Sequence, residues 1–215
     1  FKACLALRLG FEFDVRWSKD RVLVCVHDAT LDRTTNGRGA VSDRTLAELK
    51  QLDAGRWFGE NFRGERVPTI EQILATIHDE ARENALIAVD LKDADVEAEV
   101  VRIAKKLAVL DRLLFIGTSI ENAEVRRRLR AADPETHVGC LAGTREALPA
   151  AIDDKHSDWA YLRFIPTADE VEKIHAAGKK VFIAGPTVAG KETRNWEAAI
   201  VAGVACSSRS LVPIS

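Results

Sequence analysis

The chain has 215 residues, of which 47% are hydrophobic and 30% are charged, and its formal net charge is −2. These values are typical of a single globular domain with a sizeable core. No basic block indicates nucleic-acid binding, and no apolar run approaches the roughly 20 residues that a membrane helix needs. The four cysteines are scattered without a paired spacing, which favours reduced thiols and a reducing compartment such as the cytoplasm. We therefore expect neither a nucleic-acid partner nor a transmembrane segment.

The first part of the chain predicts short elements that are joined by polar turns. In chain order these are an amphipathic helix (1–7), the two strands of a hairpin (12–16 and 22–27), a polar loop (31–39) and two helices (45–52 and one that starts near Pro68).

From residue 86 onwards, strands and helices alternate regularly. The strands are expected at 86–91, 113–117, 138–141, 159–164, 181–184 and 204–207, and the helices at 96–110, 123–132, 145–152, 168–177 and 195–202. Strands that alternate with crossover helices predict a parallel sheet covered by helices. With residues 12–16 this makes seven parallel strands, one fewer than a closed (β/α)8 barrel contains. We predict an α/β fold of the (β/α)8 TIM-barrel type whose first strand precedes the sequence. An open doubly wound sheet is the alternative, although no glycine-rich phosphate loop opens a helix.

Two pairs of polar residues stand out among the apolar residues of the predicted strands. Glu12 and Asp14 are two residues apart in a strand, so their side chains point to the same face. Asp90 and Lys92 share a face for the same reason, at the end of the next parallel strand. Because the active site of such a barrel lies at the carboxyl ends of its strands, we expect all four side chains there. Three carboxylates would form an oxygen-rich site that suits Ca²⁺ or Mg²⁺.

His27 closes the second strand of the predicted hairpin and is a candidate acid or base. A cation and Lys92 would offset the negative charge of a phosphoryl substrate, and His27 would protonate the leaving oxygen. Each feature also has a purely structural interpretation. A Glu-x-Asp pair often lies on a wet strand face, a single histidine is often structural, and Asp90 with Lys92 is compatible with an ordinary ion pair.

The order of several short motifs is more specific than any single residue. The motifs are EFDV (12–15), SKD (18–20), VHD (26–28), LDRTTNG (31–37), LDAG (52–55) and VPTIE (67–71), followed more loosely by DLK (90–92). In this order they resemble the glycerophosphodiester phosphodiesterase family. The resemblance is dense from about residue 9 to residue 75 and continues more loosely through the later strands and helices.

The resemblance implies a barrel of the phospholipase C-like phosphodiesterase type, with residues 1–215 as one domain and about residues 22–74 as the family's insertion. The family's metal ligands map onto Glu12, Asp14 and Asp90, with Ca²⁺ or Mg²⁺ as the cation. Its catalytic residues map onto His27 and Lys92. The implied substrates are glycerophosphodiesters such as glycerophosphocholine, which would be hydrolysed to glycerol 3-phosphate and an alcohol.

The sequence also departs from the family pattern. The family's first strand ends in His-Arg-Gly, which supplies a second catalytic histidine, and this motif is absent from the sequence. We therefore expect this chain by itself to have reduced activity. Position 90 is aspartate where the family usually has glutamate. Two alternatives remain open: a related barrel of the lysophospholipase D or sphingomyelinase D type, and a non-catalytic barrel that binds phosphodiesters.

Overall fold

The computed structural model describes residues 1–6, 10–82, 85–117, 119–184, 197–199 and 201–204. The strands are β1 (Glu12–Trp17), β2 (Leu23–Cys25), β3 (Ile87–Leu91), β4 (Leu113–Ile116), β5 (His137–Ala142), β6 (Trp159–Leu162) and β7 (Lys180–Ile183). The α-helices are α1 (Lys2–Ala6), α2 (Leu46–Leu49), α3 (Ile70–Glu80), α4 (Glu97–Lys106), α5 (Ala123–Ala132), α6 (Leu148–Asp153) and α7 (Ala168–Ala176). None of the described helices is long and apolar enough to cross a membrane.

The strands form one sheet in the order β2-β1-β3-β4-β5-β6-β7. β2 pairs with β1 in antiparallel fashion, which confirms the predicted hairpin, and all the other pairs are parallel. The parallel strands therefore follow one another in chain order. A doubly wound sheet instead reverses its strand order at a switch point, so this topology favours the barrel over the open-sheet alternative.

The described residues contain six of the seven predicted parallel strands. The seventh was expected over residues 204–207; Val204 is not in a strand, and residues 205–207 lie outside the described residues. Within the helix predicted over 195–202, residues 197–199 and 201 are helical, and residues 195, 196 and 200 are not described.

Some helix boundaries differ from the prediction. The helix expected over 96–110 ends at Lys106, because Ala108 adopts a left-handed backbone conformation with φ of +52°. The helix expected over 145–152 begins at Leu148, after one 3₁₀ turn. The helix expected over 45–52 contains only Leu46–Leu49. Apolar periodicity locates these helices correctly but does not specify where the chain leaves helical geometry.

Alternation of side chains gives each strand one face towards the helices and one face away from them. In β6, Ala160 and Leu162 pack in a cluster with residues of α6 and α7. Tyr161 lies between them in sequence and points to the opposite face, where its ring centroid is 5.4 Å from that of Phe182. The sheet is therefore buried on both faces, as in a barrel interior.

The chain between β2 and α3 forms a small unit with its own apolar core. The buried members of this core are Val24, Val26, Leu31, Val41, Leu49 and Val67. A backbone hydrogen bond from Cys25 to Pro68 and the bridge between Val24 and Thr69 hold the end of this segment next to β2. The segment falls within the predicted insertion at about 22–74; its boundaries, and the single domain over residues 1–215, stay a prediction.

Candidate active site

Three carboxylates from two neighbouring strands meet on one face of the sheet. Asp14 in β1 is the register partner of Asp90 in β3, and Glu12 lies on the same side of β1 as Asp14. One carboxylate oxygen from each of the three residues lies within 4.8 Å of the others. In the part of the chain that the structure describes, this is the one group of three histidine, cysteine or acidic residues so spaced. We refer to Glu12, Asp14 and Asp90 as the acidic cluster.

The acidic cluster lies near the carboxyl ends of β3 and β4. Asp90 is the register partner of Ile116, which is the last residue of β4. Glu12 differs from the expectation because it is the first residue of β1 and pairs in register with Ala88. Its backbone therefore lies two residues closer to the amino end of β1 than that of Asp14, and its longer side chain extends towards the carboxyl end of the strand to reach the cluster.

Lys92 neutralises part of this negative charge. Its Nζ donates a hydrogen bond to Oδ2 of Asp90 at 2.6 Å and forms an ion pair with Oδ1 of Asp14 at 3.1 Å. The side chains of Lys92, Asp90 and Asp14 are only 19%, 14% and 12% exposed. The backbone N–H of Lys92 donates to the carbonyl of Val15, which fixes the residue beside β1. Sequence alternation predicted that Lys92 and Asp90 share a face, and the structure brings them into contact.

Two buried carboxylate oxygens of the acidic cluster could still accept a hydrogen bond or bind a cation. Oδ1 of Asp90 accepts no hydrogen bond from the described residues, and Oδ1 of Asp14 has the ion pair with Lys92 but no well-aligned hydrogen bond. Buried carboxylate oxygens without partners are costly, so a native structure normally satisfies them with a donor or a cation. When all three carboxylates are ionised, the acidic cluster and the Lys92 ammonium together carry a formal charge of −2. The donor set and its charge therefore fit one divalent cation.

Crowding changes the protonation of these groups. Glu12 is an exposed residue, but its carboxylate is partly desolvated. This desolvation raises its pKa to about 8, and the negative charges of Asp14 and Asp90 contribute to the rise. Desolvation also raises the pKa of Asp90, although Lys92 opposes the rise. Burial lowers the pKa of Lys92, but the hydrogen bond and charge of Asp90 outweigh this effect and raise it. Near neutral pH, Glu12 is therefore the residue of the group that exchanges a proton most readily.

His27 lies just beyond β2 with most of its ring in solvent. Its Nδ1 is 2.7 Å from Oδ1 of Asp28, and its side chain is 61% exposed. Arg33 donates two hydrogen bonds to the same Asp28 carboxylate, at 2.7 and 2.8 Å. These hydrogen bonds, first from Arg33 and then from His27, hold the pKa of Asp28 below its usual range. The Asp28 carboxylate thus links the imidazole of His27 to the guanidinium of Arg33.

Arg16 connects β1 to the backbone of His27. Its Nε and Nη2 donate to the His27 carbonyl at 3.1 and 3.0 Å, and its Nη1 donates to Asp93 at 2.7 Å. Arg16 lies on the same side of β1 as Asp14, so one strand positions both the acidic cluster and the histidine. Sequence reasoning identified neither Arg16 nor Asp28. Arg16 could have been identified, because it continues the alternation of Glu12 and Asp14 along one face of the strand.

Three aromatic side chains are exposed on the segment between β2 and α3. Trp57, Phe58 and Phe62 are 47%, 54% and 47% exposed, and their rings contact one another edge to face. The Arg33 guanidinium lies 5.6 Å from the centroid of the Trp57 ring. The side chain that holds Asp28 is therefore also in contact with this aromatic group.

Comparison with known proteins assigns the family. The sequence profile of the glycerophosphoryl diester phosphodiesterase family matches residues 8–196. The chain belongs to this family. A glycerophosphodiester phosphodiesterase from Caldanaerobacter subterraneus is 36% identical over 137 residues, which cover 61% of this chain and 54% of that protein. A second, from Bacillus altitudinis, is 34% identical over 175 residues, which cover 79% of this chain and 65% of that protein. The chain thus spans between about half and two thirds of these relatives.

Solved structures of the family have the same fold. A glycerophosphodiester phosphodiesterase from Agrobacterium tumefaciens matches with a TM-score of 0.75 at 25% identity, covering 93% of this chain and 83% of that one. A phosphodiesterase from Oleispira antarctica, solved in complex with the product sn-glycerol-3-phosphate, matches with a TM-score of 0.70 at 26% identity, covering 94% and 83%. These matches confirm the predicted fold class, an α/β fold of the TIM-barrel type.

Proposed function

We propose that this protein is a divalent-cation-dependent phosphodiesterase that hydrolyses glycerophosphodiesters to glycerol 3-phosphate and an alcohol. The observation that supports it best is the acidic cluster with Lys92, in which two buried carboxylate oxygens accept no hydrogen bond from the described residues, in a chain of the glycerophosphoryl diester phosphodiesterase family. The relatives carry that activity in their names, and the Oleispira protein binds the product. Ca²⁺ and Mg²⁺ both suit an all-oxygen donor set.

Glu12, Asp14 and Asp90 are the residues that would hold the cation. When bound, it would offset negative charge on the phosphate oxygens of the substrate. Lys92 supports this role in two ways. Its hydrogen bond orients the Asp90 carboxylate, and its ammonium adds positive charge on the side of the sheet where the phosphate would bind.

His27 is the proposed proton donor for the leaving alcohol. Its Nδ1 is engaged by Asp28, so Nε2 is the nitrogen that is free to face a substrate. The exposure of the His27 side chain supports this role, because it leaves the imidazole accessible from solvent. Arg16 holds the backbone of His27 and thereby keeps the imidazole beside the strand that carries the acidic cluster. Protonation of the leaving oxygen avoids the release of an alkoxide.

The proposal is tested by hydrolysis of glycerophosphocholine with glycerol 3-phosphate as the measured product. We expect release of product with Ca²⁺ or Mg²⁺, its loss with a chelator, and its recovery when the cation is restored. His27→Ala is expected to lower the rate by about 100-fold or more, in line with the loss of a general acid. His175→Ala, an exposed histidine on α7, is the matched control and should leave the rate unchanged.

The same assay distinguishes the alternatives. Faster cleavage of lysophospholipids or sphingomyelin than of glycerophosphocholine would indicate the lysophospholipase D or sphingomyelinase D type of activity. Binding of glycerophosphocholine without product, equally strong in the wild type and in His27→Ala, would indicate a non-catalytic barrel. Hydrolysis that persists in excess chelator would contradict the cation requirement.

A further inference from the structure

Gly117 directly follows β4, at the level of the acidic cluster. The residue before it, Ile116, is the register partner of Asp90 on the neighbouring strand. The backbone of Gly117 has φ of +98°, in the left-handed region that favours glycine. Conformation is one reason for glycine at this position, and the packing around Asp90 is a second, independent reason.

A side chain at position 117 would occupy the space that the Asp90 carboxylate fills. An added Cβ would overlap Oδ1 and Cγ of Asp90 and lie 2.7 Å from Oδ2, so its three nearest neighbours all belong to this one carboxylate. Such crowding is not a general property of the chain's glycines. A Cβ at Gly143, which directly follows β5, would meet nothing within 4 Å, and neither would one at Gly178, which has φ of +75°.

The carboxylate cannot simply rotate out of the way. Its Oδ2 accepts the 2.6 Å hydrogen bond from Lys92, and its side chain is 14% exposed. Its Oδ1, which the added Cβ would displace first, is the buried oxygen that accepts no hydrogen bond from the described residues. The absent side chain of Gly117 therefore leaves room for the Asp90 oxygen that accepts no hydrogen bond from the described residues.

We propose that Gly117 is a positioning residue for Asp90: its lack of a side chain leaves the gap in which the Asp90 carboxylate is oriented towards Glu12 and Asp14. The functional part of this inference rests on the proposed cation site, whereas the steric part does not. Substitution by alanine would force the carboxylate away from Lys92 or displace the end of β4, and either change would disturb the acidic cluster.

A double-mutant cycle tests the steric part without any cation. The urea midpoint of unfolding is measured in chelator for the wild type, Gly117→Ala, Asp90→Ala and the double variant. We expect Gly117→Ala to lower the midpoint clearly in the wild-type background and much less when Asp90 is already alanine, because the overlapping atoms are gone. Gly178→Ala, which carries a positive φ without the crowding, should lower the midpoint equally in both backgrounds. An equal loss for Gly117→Ala in both backgrounds would overturn the inference.

Cation titration tests the functional part. Binding of Ca²⁺ and of Mg²⁺ is measured by calorimetry for the wild type, Gly117→Ala and Gly143→Ala. We expect Gly117→Ala to weaken binding by about 10- to 100-fold, the usual cost of losing a group that orients a metal ligand, and Gly143→Ala to leave it unchanged. Unchanged binding in Gly117→Ala would overturn the positioning role. Absence of Ca²⁺ and Mg²⁺ binding in the wild type would contradict the proposed cation site itself, and the double-mutant cycle would still decide whether Gly117 orients Asp90.

Discussion

At the scale of single residues, His27 is held by its neighbours rather than by burial. A side chain that is 61% exposed has few packing contacts to fix its orientation. The hydrogen bond to Asp28 and the two bonds from Arg33 to the same carboxylate supply that constraint. The arrangement also selects the tautomer, because a carboxylate at Nδ1 requires the proton on that nitrogen when the imidazole is neutral.

Asp28→Asn is therefore expected to lower kcat while changing KM little. An amide in place of the carboxylate loses the charge-assisted hydrogen bonds, each of which contributes about 1.5–3 kcal/mol, so we expect about a 10- to 100-fold decrease. Steady-state kinetics with glycerophosphocholine checks the rate, and nitrogen NMR of the imidazole checks the tautomer. The control is Asp32→Asn in the same loop, whose carboxylate accepts from the N–H of Gly39. A decrease of equal size in both variants would contradict the positioning role of Asp28.

The sequence predicts which residues belong to the candidate site better than it predicts which of them lie next to one another. Two-residue periodicity was sufficient to place Glu12 with Asp14 and Asp90 with Lys92. That Asp14 is opposite Asp90 depends on the register between two strands that are far apart in the sequence, which no local pattern specifies. The role of Gly117 was not predictable for the same reason, since the atoms that require a glycine there belong to another strand.

At the scale of elements, apolar periodicity located the helices, whereas capping boxes and loop closure did not enter the prediction. Thr69 and Thr167 begin α3 and α7 with capping boxes, which the sequence shows as a threonine followed three residues later by glutamine or glutamate. Residues 53–65, in contrast, close on themselves through Asp53, whose carboxylate accepts from the N–H groups of Gly55 and Gly64. Contacts of this kind are set by a single folded loop conformation, so periodicity cannot reveal them.

We expect Gly55→Ala to open this loop. An added Cβ would overlap the carbonyl oxygen of Phe62, a backbone atom that cannot move without disrupting the loop. Trypsin should then cleave after Arg56 and Arg63 faster than in the wild type, as mapped by mass spectrometry. Gly59→Ala is the matched control within the loop, because its Cβ would be 3.8 Å from the Phe62 ring, an ordinary contact. Equal cleavage of the two variants would show that the loop tolerates a side chain at position 55.

At the scale of the whole molecule, the acidic cluster links stability to pH and to cation binding. The folded chain raises the pKa of Glu12 to about 8, whereas an unfolded glutamate titrates near its usual value of 4.5. Between these values the folded state holds a proton that the unfolded state has released. The contribution of Glu12 to stability without a cation therefore falls as pH rises through this interval. A bound cation reverses the effect, because it competes with the proton and favours the ionised carboxylate.

The free energy of unfolding in chelator is accordingly expected to decrease between pH 5.5 and pH 8.5, and Glu12→Gln should make this decrease smaller because an amide does not titrate. With Ca²⁺ at about 100 times its dissociation constant, the wild type should gain about 2.7 kcal/mol at a given pH, and Glu12→Gln should gain less. Urea unfolding at several pH values measures both effects, with Glu172→Gln on α7 as the control. If the wild type and Glu12→Gln show the same pH dependence in chelator, the proton is not held at Glu12. If Ca²⁺ stabilises both equally, Glu12 is not one of the residues that hold it.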